Sequence, residues 1–330
     1  MGSSSTFLDV FVAEPGAAEG VSFVRFTELA LYHPIVGYYR APRRRVGRDR
    51  QADFYTATSL GPIFGELVAA AAANLLRTRG CEPGEHAFVE IGAEPTGGAL
   101  ANILHPFREY RTFAFGQPLN FSGPCVVFSN ELFDAQPFHS VAYRDGRWRE
   151  LGVAYRSGQL VEVELPQPTA EVAAIIERLP RESAEGYRVD LPLCAVSLFQ
   201  HIAAQPWSGL FLAFDYGKSW ETLLAEHPQG TARTYSQQRL GNNLLERPGE
   251  VDLTCHVCWD WLADALRRRH FTDVVVESQE AFFIKRAGPA LQNLMAAEAG
   301  TFSPRKQALM QLLHPAHMGQ KFQALHGLRE

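Results

Sequence analysis

Apolar residues in this chain form short unbroken runs in some stretches and alternate with polar ones in others, and the change of pattern marks its parts. The runs lie at Ala87-Phe88-Val89-Glu90-Ile91-Gly92 and at residues 112–115, 126–129 and 210–215. Each is nearly all apolar and lacks alternation, as parallel strands covered on both faces do. A helix is predicted over 24–32 and stops at His33-Pro34, because proline disfavours helical geometry in the residue before it. Gly61-Pro62 opens a second helix, rich in alanine and leucine, that runs to 76 and closes at Gly80. A helical stretch over 97–104 is expected after the 87–92 strand, and strand, turn, helix is how a nucleotide-binding α/β sheet begins.

Between 129 and 210 the pattern alternates. Val141-Ala142-Tyr143-Arg144, Asp145-Gly146 and Arg147-Trp148-Arg149-Glu150 read as a hairpin with a favoured turn pair. Residues 151–156 and 160–165 continue it as a meander, followed by helices near 170–178 and 192–204. Near the end, 272–277 and 281–285 read as an antiparallel strand pair, followed by helices at 291–299 and 303–313. The fold class is α/β: a Rossmann-like core over 81–137 and 205–287, seven-stranded or shortened at one edge. Residues 1–80 are an N-terminal helical and loop segment expected to pack on the core. Residues 138–204 are an inserted β-meander with helices, expected to cover the substrate side of the crevice, and 288–330 are C-terminal helices.

Composition narrows the function classes. The 330 residues carry a net charge of −5, which argues against a generally basic nucleic-acid-binding surface. No apolar run is long enough to span a bilayer, and the N-terminus lacks a secretory pattern. Met1-Gly2-Ser3-Ser4-Ser5-Thr6 fits a minimal myristoylation pattern, but a frayed terminus is the preferred reading because no polybasic patch follows directly. Five scattered cysteines do not suggest a disulfide framework, and a cytoplasmic location is expected. Cys255 and Cys258 have metal-ligand spacing without a second pair, so no metal is expected.

Several stretches occur in an order that carries a resemblance. They are Ala30-Leu31-Tyr32-His33-Pro34-Ile35-Val36-Gly37-Tyr38-Tyr39, the segment from Asp53-Phe54-Tyr55-Thr56 to Gly65, and Val89-Glu90-Ile91-Gly92-Ala93. Further on come Asn130-Glu131-Leu132-Phe133-Asp134-Ala135-Gln136-Pro137, Asp215-Tyr216-Gly217, Gly230-Thr231-Ala232-Arg233-Thr234-Tyr235, and the segment from Asn243 to Val257. Together, from about residue 22 to 286, they resemble the MidA-like methyltransferases, a family that includes a mitochondrial complex I assembly factor acting on a protein arginine. The resemblance implies a class I methyltransferase fold, S-adenosylmethionine (SAM) as cofactor, and a protein substrate or assembly partner, with a respiratory-complex subunit as one candidate. It implies Asp53, Tyr55 and Thr56 in a loop over the cofactor, with Glu90, Gly92, Gly97, Asn130 and Asp215 around it. Glu131 and Asp134 become candidates for orienting the substrate and His256 for a base. Carboxylates suit a guanidinium, because they bind its planar fork bidentately and draw charge off the attacking nitrogen. Asn130 and Asp134 also read as helix caps, and His256, one helical turn after Asp252, also reads as structural.

Two departures from the family pattern bear on the cofactor. The glycine turn continues as Glu94-Pro95-Thr96-Gly97-Gly98, bringing an acid where small residues belong and removing a donor. Phe115 stands where an acid would accept bonds from the ribose hydroxyls, and the usual helix and third strand are cut to residues 117–124. Cys258 also replaces an acid. Weak SAM binding is expected, and the alternative is a catalytically silent relative that serves as a protein-binding or assembly module.

Overall fold

The computed structural model describes residues 6–40, 57–93, 97–236, 239–300 and 303–330. Its central sheet has six strands in the order Thr272–Ser278, Gln323–Arg329, Trp207–Asp215, Gly123–Asn130, Ala87–Ile91, Glu109–Phe113. The last four of these run parallel, in registers such as Val89↔Val127 and Val127↔Phe211. Gln323–Arg329 is inserted antiparallel, pairing Leu325 with Ala213 on one side and Val276 on the other.

Burial on both faces explains three of the four apolar runs; the run at 112–115 only overlaps the edge strand Glu109–Phe113, which is largely polar and only partly buried. Phe88, Val126, Phe128, Leu210, Leu212 and Phe214 point to one side, where helix Pro62–Arg77 brings Phe64, Leu67 and Ala71. Val89, Val127, Phe211 and Ala213 point to the other, against helices Leu193–Ala203 and Trp259–Arg268. The chain passes from Phe113 to Gly123 with no strand between, so the sheet is shortened at that edge, as the sequence suggested.

Three expectations are corrected. Residues 281–285 are not a strand; they lie in helix Gln279–Arg286, whose first turn is capped by Ser278 Oγ accepting from Ala281 N at 3.2 Å. Phe282 and Phe283 then pack on Phe214, a use of a short apolar run that periodicity alone does not separate from a strand. The strand partner comes instead from Gln323–Arg329, within a segment expected to be wholly helical after 288. Residues 97–104 form a turn rather than a helix, with Ala101 N bonded to Gly98 O at 3.1 Å and Asn102 in left-handed backbone (φ 63°). Among its described residues the first crossover therefore presents no helix N-terminus.

The insertion forms a second sheet: Val21–Ser22, Arg147–Arg156, His139–Arg144 and Arg188–Leu191 in that order, with Gln159–Glu164 along the outer side of Arg147–Arg156. Its hairpin turns through Asp145 (φ 49°) and Gly146 (φ 74°), the pair of positive angles that a tight two-residue turn requires. Helices Phe7–Val12 and Phe23–Tyr32 pack on this sheet, joining Phe11, Phe23 and Phe26 to Phe138, Leu151 and Val153. Of the first 80 residues, then, the two early helices belong with the insertion, and Pro62–Arg77 packs on the core. A three-stranded sheet of Arg233–Ser236, Arg239–Gly241 and Asp252–Thr254 completes this side, with Leu253 in the same apolar cluster. Among the described residues no helix is long and apolar enough to cross a membrane.

Candidate functional site

A cavity of about 650 Å³ opens at the carboxyl ends of the parallel strands. Glu90, Gly92, Ala93 and Gly97 line one end, Phe115 the edge beside them, and Asn130, Glu131, Leu132 and Asp134 the middle. The roof is built by Tyr32, Tyr39 and Arg40, by Thr231, Arg233, Tyr235, Asp252, Thr254 and His256, and by His317, Met318, Lys321 and Phe322. No residue of 138–204 lines it, so the insertion is not the cap that was expected. Its sheet instead supports the Phe23–Tyr32 helix and the Asp252–Thr254 strand, which do reach the cavity.

The strand Gly123–Asn130 ends by turning Glu131 into left-handed backbone (φ 51°), a conformation that a non-glycine residue holds only where its surroundings enforce it. Here Glu131 N donates to Phe214 O at 2.9 Å. The carboxylate is held by three donors: Asn130 Nδ2 at 2.9 Å, Ala57 N at 3.3 Å and Tyr216 Oη at 3.3 Å. Burial outweighs them and pushes its pKa up to about 8. Asp215 ends the neighbouring strand, fully buried, and accepts from Phe133 N (2.8 Å), Asp134 N (3.2 Å) and Tyr216 N (2.9 Å). It therefore fixes the Phe133–Asp134 backbone. Asp134 is held well above the carboxylate range by burial and then by the negative charges of Asp215, Glu131 and Asp252. Its Oδ1, like Asn130 Oδ1, is buried without a hydrogen-bond partner among the described residues. Asp252 accepts from Tyr39 Oη at 3.2 Å. Among the described residues, none of Glu131, Asp134 and Asp215 forms an ion pair, so an acidic cluster in a low-dielectric cavity lacks its counter-charge.

Asn130, Glu131, Asp134 and Asp215 thus come together as the sequence suggested. His256 also lines the cavity, but Asp252 and His256 share it from a strand and the turn after it, not from successive turns of a helix. Its Nδ1 is buried and unpartnered among the described residues. Burial, with His227, Lys218 and Arg233 nearby, holds its pKa down to about 4. A ring so poor at taking a proton is a weak candidate for the base. Cys258, set where an acid was expected, is buried, and burial pushes its thiol up to about 12. No cluster of metal-ligating side chains occurs among the described residues.

At the cofactor end the picture differs from the expectation. Glu90 Oε2 accepts from Ala99 N at 2.7 Å and from Tyr110 Oη, so this carboxylate pins the turn after the first strand. A Cβ on Gly98 would lie 1.9 Å from Tyr110 Oη and 2.3 Å from Glu90 Oε2; the glycine is needed for that pinning. Gly92 adopts φ 82° and spends its N–H on Phe113 O at 2.8 Å, while Gly97 adopts φ 121°. Phe115 faces the cavity and stacks on Tyr32, ring centroids 4.0 Å apart, and Tyr32 stacks on Tyr39 at 5.3 Å. An aromatic wall thus stands where a ribose-binding acid was missing. Asp53, Tyr55 and Thr56, and Glu94 and Pro95, lie outside the described residues. Sequence reasoning gave no role to Tyr32, Tyr39, Tyr110 or Lys218. The first two stand in a quoted stretch whose run of tyrosines was the available signal, whereas Tyr110 and Lys218 had none.

Comparison with known proteins agrees with this geometry. A family described as "putative S-adenosyl-L-methionine-dependent methyltransferase" matches residues 100–276. The Drosophila melanogaster mitochondrial homologue of protein arginine methyltransferase NDUFAF7 is 24% identical over 363 residues, covering 89% of this chain and 78% of that protein. A Burkholderia thailandensis protein described as a "likely methyl transferase", bound to S-adenosyl-homocysteine, superposes with a TM-score of 0.80 at 26% identity over 94% of this chain and 88% of its own. A second crystal structure, of an uncharacterized protein from the same organism, gives 0.76 at 25% identity over 94% and 87%.

Proposed function

This chain belongs to the family of S-adenosylmethionine-dependent methyltransferases matched by residues 100–276, and from that premise we propose that it transfers a methyl group to an arginine side chain of a protein. The strand order, with the last strand inserted antiparallel beside Trp207–Asp215, supports a class I methyltransferase core. The observation that carries the substrate reading is the convergence of Glu131 and Asp134 on one cavity, with Asp134 Oδ1 buried and unpartnered among the described residues. A guanidinium offers five N–H donors and a permanent positive charge, which is what such a cluster lacks. The mitochondrial protein arginine methyltransferase homologue among the relatives supports the same substrate class, and the resemblance to the MidA-like family makes a respiratory-complex subunit one candidate partner.

The residues present fit SAM along most of its length. Gly92, Ala93 and Gly97 keep the backbone low beside the cavity, and Asn130 Oδ1 is an acceptor without a donor among the described residues, suited to an amino group. The Tyr32–Phe115 stack offers an apolar face to the adenosyl end but no ribose acceptor. SAM supplies a methyl group on a sulfonium, which needs alignment and a dry cavity more than it needs a catalyst. In this reading Asn130, Gly92, Ala93 and Gly97 hold the cofactor, while Asp134 orients the guanidinium. Glu131 enters as the carboxylate once the cation is bound, draws charge off the attacking nitrogen and takes the proton that this nitrogen loses. Asp215 acts through the Phe133–Asp134 backbone and is a positioning residue.

The test is transfer of labelled methyl from SAM to arginine-containing peptides. Glu131→Gln should cut turnover by about 100-fold or more, the ordinary worth of a positioned proton acceptor, without weakening S-adenosylhomocysteine binding. Turnover unchanged in Glu131→Gln would contradict the role. Phe115 favours a second reading, a catalytically silent module that keeps the fold for binding partners; absence of methyl transfer together with partner capture would support it.

A further inference from the structure

Beyond the acidic floor, the cavity has a wall of opposite charge. Lys218 lies on the two-residue strand Gly217–Lys218, which pairs in parallel with Val257–Cys258 and so stands next to His256. Arg233 opens the strand Arg233–Ser236, where its Nη1 donates to Gly230 O and Ala232 O. Lys218, Arg233 and His256 all line the cavity. Behind His256 stands His227, ring centroids 5.5 Å apart. His256 Nδ1 and His227 Nε2 are both buried with no hydrogen-bond partner among the described residues.

Acidic groups near this wall are engaged or remote. Asp190 accepts from Ser140 Oγ, Arg188 Nε, Thr231 N and Ala232 N. Glu226, next to His227 in the chain, is exposed to solvent. Neither Lys218 nor Arg233 forms an ion pair among the described residues, and their uncompensated charge is part of what holds His256 near 4. Two cations and one imidazole line the same part of the cavity, and a second imidazole with a buried unpartnered nitrogen stands behind. No ion pair with a carboxylate engages the cations among the described residues, so they form a donor set for an external anion.

We propose that the wall formed by Lys218, Arg233 and His256, backed by His227, is an anion subsite that takes a carboxylate carried by the methyl acceptor, beside the guanidinium that meets Glu131 and Asp134. The inference rests on the acceptor reading above and names the acceptor further: an arginine with an acidic group close to it. The cofactor's own carboxylate is the competing source of the same chemistry, and the sheet separates the two. The glycine turn follows strand Ala87–Ile91, whereas Lys218 follows Trp207–Asp215, two strands away in the sheet. At the ordinary strand spacing that is about 10 Å.

The experiment uses the full chain with histidine rings labelled for NMR, the signals assigned by His227→Gln and His256→Gln. Acetate replaces chloride at constant ionic strength. Saturable shifts of the His227 and His256 signals are expected, with acetate affinity at least about tenfold weaker in Lys218→Gln, the lower range for losing one charged hydrogen bond. S-adenosylhomocysteine should leave both signals and the acetate affinity unchanged. Acetyl-Arg-Asp-amide should bind about tenfold more tightly than acetyl-Arg-Ala-amide, and Lys218→Gln should erase the difference. No saturable shift in the wild-type protein would overturn the subsite whatever the variants do. Displacement of acetate by S-adenosylhomocysteine would assign the wall to the cofactor and overturn the acceptor assignment. Neither outcome depends on whether methyl transfer occurs, so the subsite and the reaction fail separately.

Discussion

Glu131 is the residue on which the chemistry turns, and its environment makes a statement about stability. Its folded pKa, about 8, lies above its value in an unfolded chain, so the native state holds a proton between roughly pH 4.5 and 8 that the unfolded state has lost. The free protein is therefore expected to lose stability as pH rises through that window, by on the order of a few kcal/mol, with Asp134 and Asp215 adding in the same direction. Thermal denaturation between pH 5 and 8 checks this, and Glu131→Gln should flatten the slope; a stability that rises over this range would contradict it. Phe115 is the complementary case. A carboxylate there would give the ribose charge-assisted bonds worth about 1.5–3 kcal/mol each, against about 0.5–1.5 kcal/mol lost with the Tyr32 stack. Phe115→Glu should on balance bind S-adenosylhomocysteine more tightly, about tenfold or beyond. Weaker binding in the variant would mean that the ribose lies elsewhere. The acidic residues were legible because they stand at strand ends in a long quoted stretch. Tyr32, Tyr110 and Lys218 were not, because their partners Phe115, Glu90 and the His256 segment are brought to them only by the tertiary fold.

At the scale of elements, the three inner parallel strands were readable because burial on both faces leaves an unbroken apolar run, whereas the edge strand Glu109–Phe113 is largely polar and only partly buried and only overlaps the expected run at 112–115. Gln323–Arg329 escaped notice for the opposite reason. It includes His326 and Gly327, and its neighbour Trp207–Asp215 lies more than 100 residues earlier, so nothing local announces it. Residues 281–285 misled because Ala281-Phe282-Phe283-Ile284 suits a strand as well as a helix, and Ser278 decides between them by capping. Ser278→Ala should cost about 1 kcal/mol in denaturant unfolding, the usual worth of such a cap. A change within error would show that the helix is held by Phe282 and Phe283 alone. The 97–104 segment taught the same lesson: Glu90 and Tyr110 close a turn there in place of a helix, and neither bond is visible in a linear pattern.

Across the whole molecule, the insertion and the N-terminal helices form one supporting body, which carries Tyr32, Tyr39 and Asp252 over the strand ends while residues 138–204 themselves stay off the cavity. The result is a single cavity with distinct ends: glycine turn and aromatic wall, then carboxylates, then cations. The central claim is that the first of these ends holds the cofactor while the carboxylates serve the acceptor. Calorimetric titration of S-adenosylhomocysteine into the folded wild-type chain and into Glu131→Gln tests it most directly. One saturable site per chain, with the same affinity in both proteins, is the predicted result. No saturable binding by the folded wild-type protein, or an affinity that collapses in Glu131→Gln, would contradict it.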